Sequence, residues 1–335
     1  MPSMERESHR IVIAGASSLL GAELKSLLEE SKFATWDFRL LDEEDAAGTL
    51  TEAGGEAAVI QPVEEGSFDK ARFVLFTGSA SFTKMNLAAA KRSAGKIADL
   101  SGSLACEGEA AFWFPKLNEL QGAEFPSHAA AFAVPSAAGA AAIALTLALS
   151  RCGVKRIAFQ GFRPVSEAGR AGIEELESQT GQLLSFQSVG QPVFDAQVAF
   201  NMLDAYGDAS AHKLDTVGER VRAEVHASLA KSAVIPSIQV IHAPVFYGTI
   251  FSAYAEVDPG ADAGKISEAC ADAGFALTAR GEASPSNVSA AGEKTMQLAQ
   301  PKADPAHPGT WWFWGAADNI RLPAWHAVKL IEKLA

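Results

Sequence analysis

The chain has 335 residues, 48% hydrophobic and 20% charged. That is enough to bury a large core and fits two domains better than one. A formal net charge of −12 argues against nucleic acid and anionic membranes as partners. No apolar run is long enough to span a bilayer, and the densest, Ala137 to Leu149, reads as a buried alanine-rich helix. Met1 to His9 is polar and charged, unlike a signal peptide. Cys106, Cys152 and Cys270 lie far apart without metal-ligand spacing, so no metal site and a reducing cytoplasm are expected.

Ile11 to Ala14 is a short apolar run, as expected of a strand buried on both faces of a parallel sheet. Gly15-Ala16-Ser17-Ser18-Leu19-Leu20-Gly21 follows, then a helical pattern with Leu20, Leu24, Leu27 and Leu28 on one side. Strand, glycine-bounded turn and helix are the parts of a dinucleotide-binding βα unit, whose free N–H groups would face a pyrophosphate. Ser18 stands where the middle glycine is usual, and the competing reading is a plain βα turn. Phe38 to Leu41 is a second strand ending at Asp42, followed by Glu43, Glu44 and Asp45. Asp42 is placed either to accept hydrogen bonds from an adenosine ribose, favouring NAD, or in a solvated acidic loop.

Phe73 to Phe76 reads as the next strand, with the small-residue loop Thr77-Gly78-Ser79 at its carboxyl end, where ligands of open α/β sheets sit. A helix containing Met85, Ala88 and Ala89 is expected next, then a strand at Lys96 to Leu100. This alternation predicts a parallel sheet that closes near Phe132 to Pro135. Beyond it the strands lengthen, at Ile157 to Phe162, Ile238 to Ile241 and Thr249 to Val257. One intervening helix should bury Ile173, Leu176, Thr180, Leu183 and Leu184, and another runs over Val217 to Leu229. Long strands with helices on one side predict an α+β domain whose open sheet needs cover, supplied by self-association. A terminal amphipathic helix places Ala324, Val328 and Ile331 on one stripe.

Several stretches together resemble the aspartate-semialdehyde dehydrogenase family, including its USG-1-type homologues. The Gly15–Gly21 turn resembles the family's G-A-T-G-x-V-G; Asp99-Leu100-Ser101-Gly102-Ser103 its D-N-S-S; and Phe114-Pro115-Lys116-Leu117-Asn118 its V-P-E-V-N. Val165 to Leu176 is close to V-S-G-A-G-x-x-G-x-x-E-L, with Gln179 matching a later glutamine. Ala199-Phe200-Asn201, Ala243-Pro244-Val245 and Asp318-Asn319-Ile320-Arg321 match A-F-N, V-P-V and D-N-L-R. The matches keep their order over nearly the whole chain. They imply an α/β fold: a Rossmann-like dinucleotide-binding domain over 1–134, completed by 318–335, and a catalytic-type dimerisation domain with an open mixed sheet over 135–317. A cytoplasmic homodimer binding NAD or NADP, with NAD favoured, is the corresponding expectation.

The family's reaction, as the resemblance implies, interconverts an acyl phosphate and a semialdehyde in amino-acid biosynthesis, through a cysteine thioester and a histidine base. The cysteine of P-N-C-[ST]-T falls at Ala137 in Pro135-Ser136-Ala137-Ala138-Gly139, and the histidine of G-H-S falls at Thr249. Neither can do the chemistry. Ser136, Cys106 and His242 are the remaining nearby candidates. Ser136 reads better as a helix N-cap, and His242 as a strand histidine satisfied locally. A ligand-clamping arginine is replaced by Cys106, an active-site glutamine by Arg163, and a glycine by Glu167. Asn118, Arg220 and Arg321 persist with Arg163 as groups for a small anionic ligand, although Arg163 can equally pair with Glu167. The resulting expectation is a family member lacking the family's activity; the alternative is a dehydrogenase for another semialdehyde with relocated catalytic groups.

Overall fold

A computed structural model describes residues 9–53, 56–93, 95–106, 110–229 and 234–335, the side chains of residues 53, 56, 93 and 106 excepted. The chain divides into two compact units: residues 1–114, 125–134 and 323–335, and residues 115–124 and 135–322. Among the described residues no helix is long and apolar enough to cross a membrane.

The first unit is built on β1 (Arg10–Ala14), β2 (Asp37–Asp42), the hairpin β3 (Leu50–Ala53) and β4 (Glu56–Val59), β5 (Gln61–Pro62), β6 (Phe73–Phe76), β7 (Lys96–Asp99), β8 (Ala111–Phe112) and β9 (Ala131–Ala133). Seven of these form a sheet in the order β5-β2-β1-β6-β7-β9-β8, with parallel pairing throughout. β1 shows why the run is wholly apolar: Ile11 and Ile13 join one core cluster while Val12 and Ala14 join another. Alternate side chains thus meet a packed layer on each face. Helix α1 (Leu19–Glu29) lays Leu24, Leu27 and Leu28 on the first cluster, joined there by Ala324, Val328 and Ile331 of the terminal helix.

Helix α2 (Ala80–Ser93) stands where a helix is expected. Its buried face is Phe82, Leu87 and Ala90, while Met85 is 78% exposed and Ala88 also faces out. Leu87 and Ala90, three residues apart, set the buried face, and Met85, two residues before Leu87, turns away from it.

The second unit carries α3 (Leu117–Gln121), α4 (Ala137–Ser150), β10 (Arg156–Arg163), α5 (Gly169–Leu184), α6 (Leu214–Leu229), β11 (Ser237–His242), β12 (Thr249–Glu256), α7 (Ala263–Asp272), β13 (Phe275–Leu277), α8 (Asn287–Ala290), β14 (Met296–Leu298), β15 (Lys302–Ala303) and β16 (Thr310–Ala317), and leads into α9 (Arg321–Leu334). The sheet runs β11-β10-β12-β16-β14-β13, with β15 on β16. It is mixed: β10 pairs parallel with β11 and antiparallel with β12, and β12 pairs antiparallel with β16. β10 alternates strictly: Ile157, Phe159, Gly161 and Arg163 are buried, whereas Arg156, Ala158 and Gln160 are exposed. On the exposed side Trp312 is 48% and Trp314 40% exposed, beside a groove of about 620 Å³ lined by Gln160, Gln239, Tyr254 and Trp312. One face of this sheet is therefore open.

Helix α5 buries only part of the apolar face read from the sequence. Its buried face is Gly172, Glu175, Leu176 and Gln179, and Leu184 is 70% exposed. Two polar residues go inside because they pin a loop. The Glu175 carboxylate accepts from the backbone N–H groups of Val193 and Phe194. Gln179 accepts from Val198 and Ala199 N–H and donates to the Gly190 and Ala196 carbonyls. A loop that cannot pair with a strand has its backbone groups satisfied this way.

Candidate functional site

In the first unit the glycine turn forms one hydrogen-bonded knot. Gly15 has φ +97° and its Cα packs against Gly78, where a Cβ would fall 2.1 Å from Gly78 N. Only glycine serves here. The Ser18 hydroxyl accepts from Gly21 N–H at 2.9 Å and lies 2.8 and 3.0 Å from the Gly15 and Thr77 carbonyls. It caps α1 from inside, while Ser17 of the turn is exposed. The Thr77 hydroxyl donates to the Gly15 carbonyl at 3.0 Å. Ser79 accepts from Phe82 N–H to open α2, and its hydroxyl stands 3.3 Å from the Glu43 carboxylate.

Asp42 is buried, at 7% exposure, and its two carboxylate oxygens accept from Ser17 N–H at 2.7 Å and Glu43 N–H at 2.9 Å. Each oxygen keeps a lone pair. Glu43, Glu44 and Asp45 are exposed. A pyrophosphate could be held at the start of α1, where the Leu19 and Leu20 N–H groups have no carbonyl a turn earlier in the helix. Asp99 is also buried, accepting from Ser101 N–H, Ser101 Oγ and Leu104 N–H, so it shapes the following loop. The Cys106 side chain lies outside the described residues.

The second unit holds Ser136, Ala137 and Thr249, where the resemblance places the family's covalent chemistry. Ser136 is the N-cap of α4, accepting from Gly139 N–H at 3.1 Å, and Ala137 is the first helical residue, 3% exposed. The Ser136 hydroxyl donates to Glu224 Oε2 at 2.6 Å and its N–H to Oε1 at 3.1 Å, while Arg220 Nε reaches Oε1 at 2.9 Å. Glu224 is 1% exposed, so a buried carboxylate is shared by a cap and an arginine of its own helix. Ser136 is thereby committed twice over, as the cap of α4 and as a donor to a carboxylate that Arg220 also holds.

A second network sits at the end of β10. Arg163 Nε donates to Glu167 Oε2 at 3.1 Å and Nη1 to Tyr206 Oη at 3.1 Å. Thr249 Oγ1 donates to Glu167 Oε1 at 3.2 Å. The β10–β12 register that opposes Phe162 to Ile250 sets Arg163 beside Thr249. A Cβ on Gly161, on the same face, would lie 3.9 Å from Ala138 Cβ, so α4 begins under this end of the sheet. His242, fully buried, has Nδ1 3.1 Å from Tyr206 Oη and Nε2 3.2 Å from the Val198 carbonyl. Burial pulls its pKa down to about 4, with the nearby Arg163 acting in the same direction, and burial pushes the Tyr206 hydroxyl up. Burial also pushes the Cys270 thiol up to about 12 and raises Cys152, so neither is a ready thiolate.

Residues 146–322 match the family described as semialdehyde dehydrogenase, dimerisation domain, which is more than half of the chain. The protein belongs to the semialdehyde dehydrogenase family. It is 26% identical over 331 residues to a USG-1 protein homolog of Pseudomonas aeruginosa, covering 97% of each chain. It is 24% identical over 333 residues to aspartate-semialdehyde dehydrogenase 2 of Vibrio cholerae, covering 98% of each. Among solved structures, a probable aspartate-semialdehyde dehydrogenase from Pseudomonas aeruginosa superposes with TM-score 0.86 at 25% identity, over 97% of this chain and 98% of that one. The semialdehyde dehydrogenase scaffold is present in both units, a parallel Rossmann-like sheet and a mixed sheet.

Of the remaining expected groups, Asn118 Nδ2 donates to the Glu124 carbonyl, and its Oδ1 is buried without a hydrogen-bond partner among the described residues. Arg321 opens α9, its N–H donating to Asp318 Oδ1 at 2.8 Å. Asn319 Nδ2 donates to Ser166 Oγ, and its Oδ1 accepts from Gly248 N–H, tying D-N-I-R to the Val165–Ala168 and Gly248 turns. Tyr206 and the Glu224–Ser136 bond went unpredicted. Arg220 and Glu224 at i,i+4 on a predicted helix was a signal for the second, whereas nothing in the sequence marks Tyr206. No group of three or more His, Cys, Asp or Glu among the described residues could hold a metal ion.

Proposed function

We propose that this chain is a dinucleotide-binding homodimer on the aspartate-semialdehyde dehydrogenase scaffold that has lost the thioester reaction. The carrying observation is Ala137, buried at the first position of α4, with the neighbouring hydroxyl of Ser136 committed to Glu224. Hydride transfer in this chemistry needs a tetrahedral adduct on a thiolate. A methyl group stands in that place, and Thr249, spent on Glu167, cannot take a proton near neutral pH.

The nicotinamide cofactor, when bound, supplies the hydride acceptor, and its pyrophosphate is held by the turn from Gly15 to Gly21. NAD is favoured over NADP because Asp42 and the exposed Glu43, Glu44 and Asp45 would oppose a 2′-phosphate. The dimer forms through the open sheet face carrying Trp312 and Trp314, as the family's dimerisation domain suggests.

Titration of the purified protein with NAD, NADH, NADP and NADPH should give saturable binding, tighter for the first pair; no binding to any removes the cofactor. Light scattering at micromolar concentration should give twice the chain mass, and one chain mass rejects the dimer. A cofactor-reduction assay with aspartate semialdehyde and phosphate should show no turnover. Turnover abolished by Cys106→Ala would overturn the proposal and name a relocated nucleophile.

A further inference from the structure

Arg163 ends β10 with its side chain only 4% exposed. Its orientation is set by Tyr206 as well as by Glu167. Nη1 donates to Tyr206 Oη, and the guanidinium carbon lies 5.8 Å from the Tyr206 ring centroid. Beyond Tyr206 the hydrogen bonds have one direction. The Val198 carbonyl can only accept, so His242 Nε2 carries the hydrogen of the neutral ring and Nδ1 accepts from the Tyr206 hydroxyl. Tyr206 Oη is then left to accept from Arg163. This chain of donors aims the guanidinium so that Nε faces Glu167 Oε2.

A second donor converges on the same carboxylate. Thr249 Oγ1, 2% exposed, reaches Oε1 from β12. Two buried donors on two strands therefore present the paired-oxygen spacing of a carboxylate. The group that fills it belongs to another sort of element. Glu167 stands on the short 3-10 turn Val165–Ala168, with its side chain 25% exposed. The turn ends at Gly169, whose φ is +76° and which has nothing within 4 Å of a Cβ position. The receptor is fixed and buried, while its occupant reaches in from a surface turn.

We infer that Arg163 and Thr249 form a receptor for a small carboxylate, and that Glu167 occupies it as a built-in stand-in for that ligand. Removing Glu167 leaves a buried cation uncompensated. A planar carboxylate presents one oxygen to Arg163 and the other to Thr249, as Glu167 does, whereas a chloride offers both donors a single centre. The inference is independent of dinucleotide binding, and its test uses no cofactor.

The experiment follows thermal unfolding of the full-length Glu167→Ala protein in sodium formate and in sodium chloride at matched ionic strength, with formate binding measured by calorimetry. Formate should raise the melting temperature of Glu167→Ala saturably, at a midpoint at least tenfold below any response of the wild type. The double variant Arg163→Met/Glu167→Ala should respond to formate as it does to chloride. Equal responses of Glu167→Ala and wild type, or an undiminished response in the double variant, would overturn the inference. If Glu167→Ala does not fold in chloride, its refolding yield with and without formate becomes the readout; a yield that formate leaves unchanged also overturns it.

Discussion

Gly139→Ala should destabilise the protein, although helix propensity argues the reverse. Gly139 is the third residue of α4, where alanine is intrinsically favoured by about 0.5–1 kcal/mol. A Cβ there would fall 2.0 Å from Glu224 Oε2 and 3.1 Å from both Glu224 Cδ and Ser136 Oγ. Glu224, 1% exposed, has no water to retreat to. Displacing it weakens its bonds to Ser136 N–H, Ser136 Oγ and Arg220. Breaking a buried charged pair costs about 3–5 kcal/mol, so the net loss after the propensity gain is about 2–4 kcal/mol. For a domain of this size that lowers the melting temperature by roughly 4–16 °C. Calorimetry resolving the two units is the suitable assay, because a two-unit chain need not unfold in one step. On a Glu224→Ala background the same substitution should be neutral or mildly stabilising. A raised melting temperature in the single variant, or an equal loss on both backgrounds, would refute the reasoning.

The parallel sheet was legible because strands buried on both faces must be apolar throughout, as Ile11 to Ala14 and Phe73 to Phe76 are. Helix faces were harder. Met85 and Leu184 are apolar and exposed, while Glu175 and Gln179 are polar and buried. The deciding fact, an irregular loop at 190–199 needing its backbone satisfied, is tertiary and leaves no local trace. At the site, the family resemblance marked the replaced positions at Ala137 and Thr249. It could not tell that Arg163 would face Glu167 and Tyr206 together, since Tyr206 comes from a loop 43 residues further on. The Arg163–Glu167 pair itself was readable as an i,i+4 pair, but its meaning needed the register that brings Thr249 to the other oxygen.

Gly15→Ala should lower the melting temperature of the first unit and weaken dinucleotide binding at least tenfold, because the new Cβ meets Gly78 N at a φ of +97°; unchanged calorimetric and titration curves would contradict this. Acid should weaken the second unit through His242, whose pKa in the folded chain is about 4 against an ordinary 6.5. The unfolded chain binds the extra proton in that window, so this stability is full above pH 6.5 and is lost as pH falls toward 4, by roughly 3 kcal/mol. His242→Gln should flatten the melting-temperature profile between those values, and an equally steep profile would assign the acid sensitivity elsewhere. The last expectation concerns rebuilding the reaction. Ala137→Cys with Thr249→His restores a thiol at a helix N-terminus and a base on β12, yet it should stay silent toward aspartate semialdehyde. Arg163 is held by Tyr206 whatever stands at position 249, and Glu167 remains on its Nε, so the cation that could take a substrate carboxylate is already satisfied. Adding Glu167→Gly removes the competing carboxylate without touching the restored groups. Cofactor reduction should therefore appear only in the triple variant. Turnover in the double variant equal to that in the triple would show that substrate binds without Arg163, and that Glu167 blocks nothing.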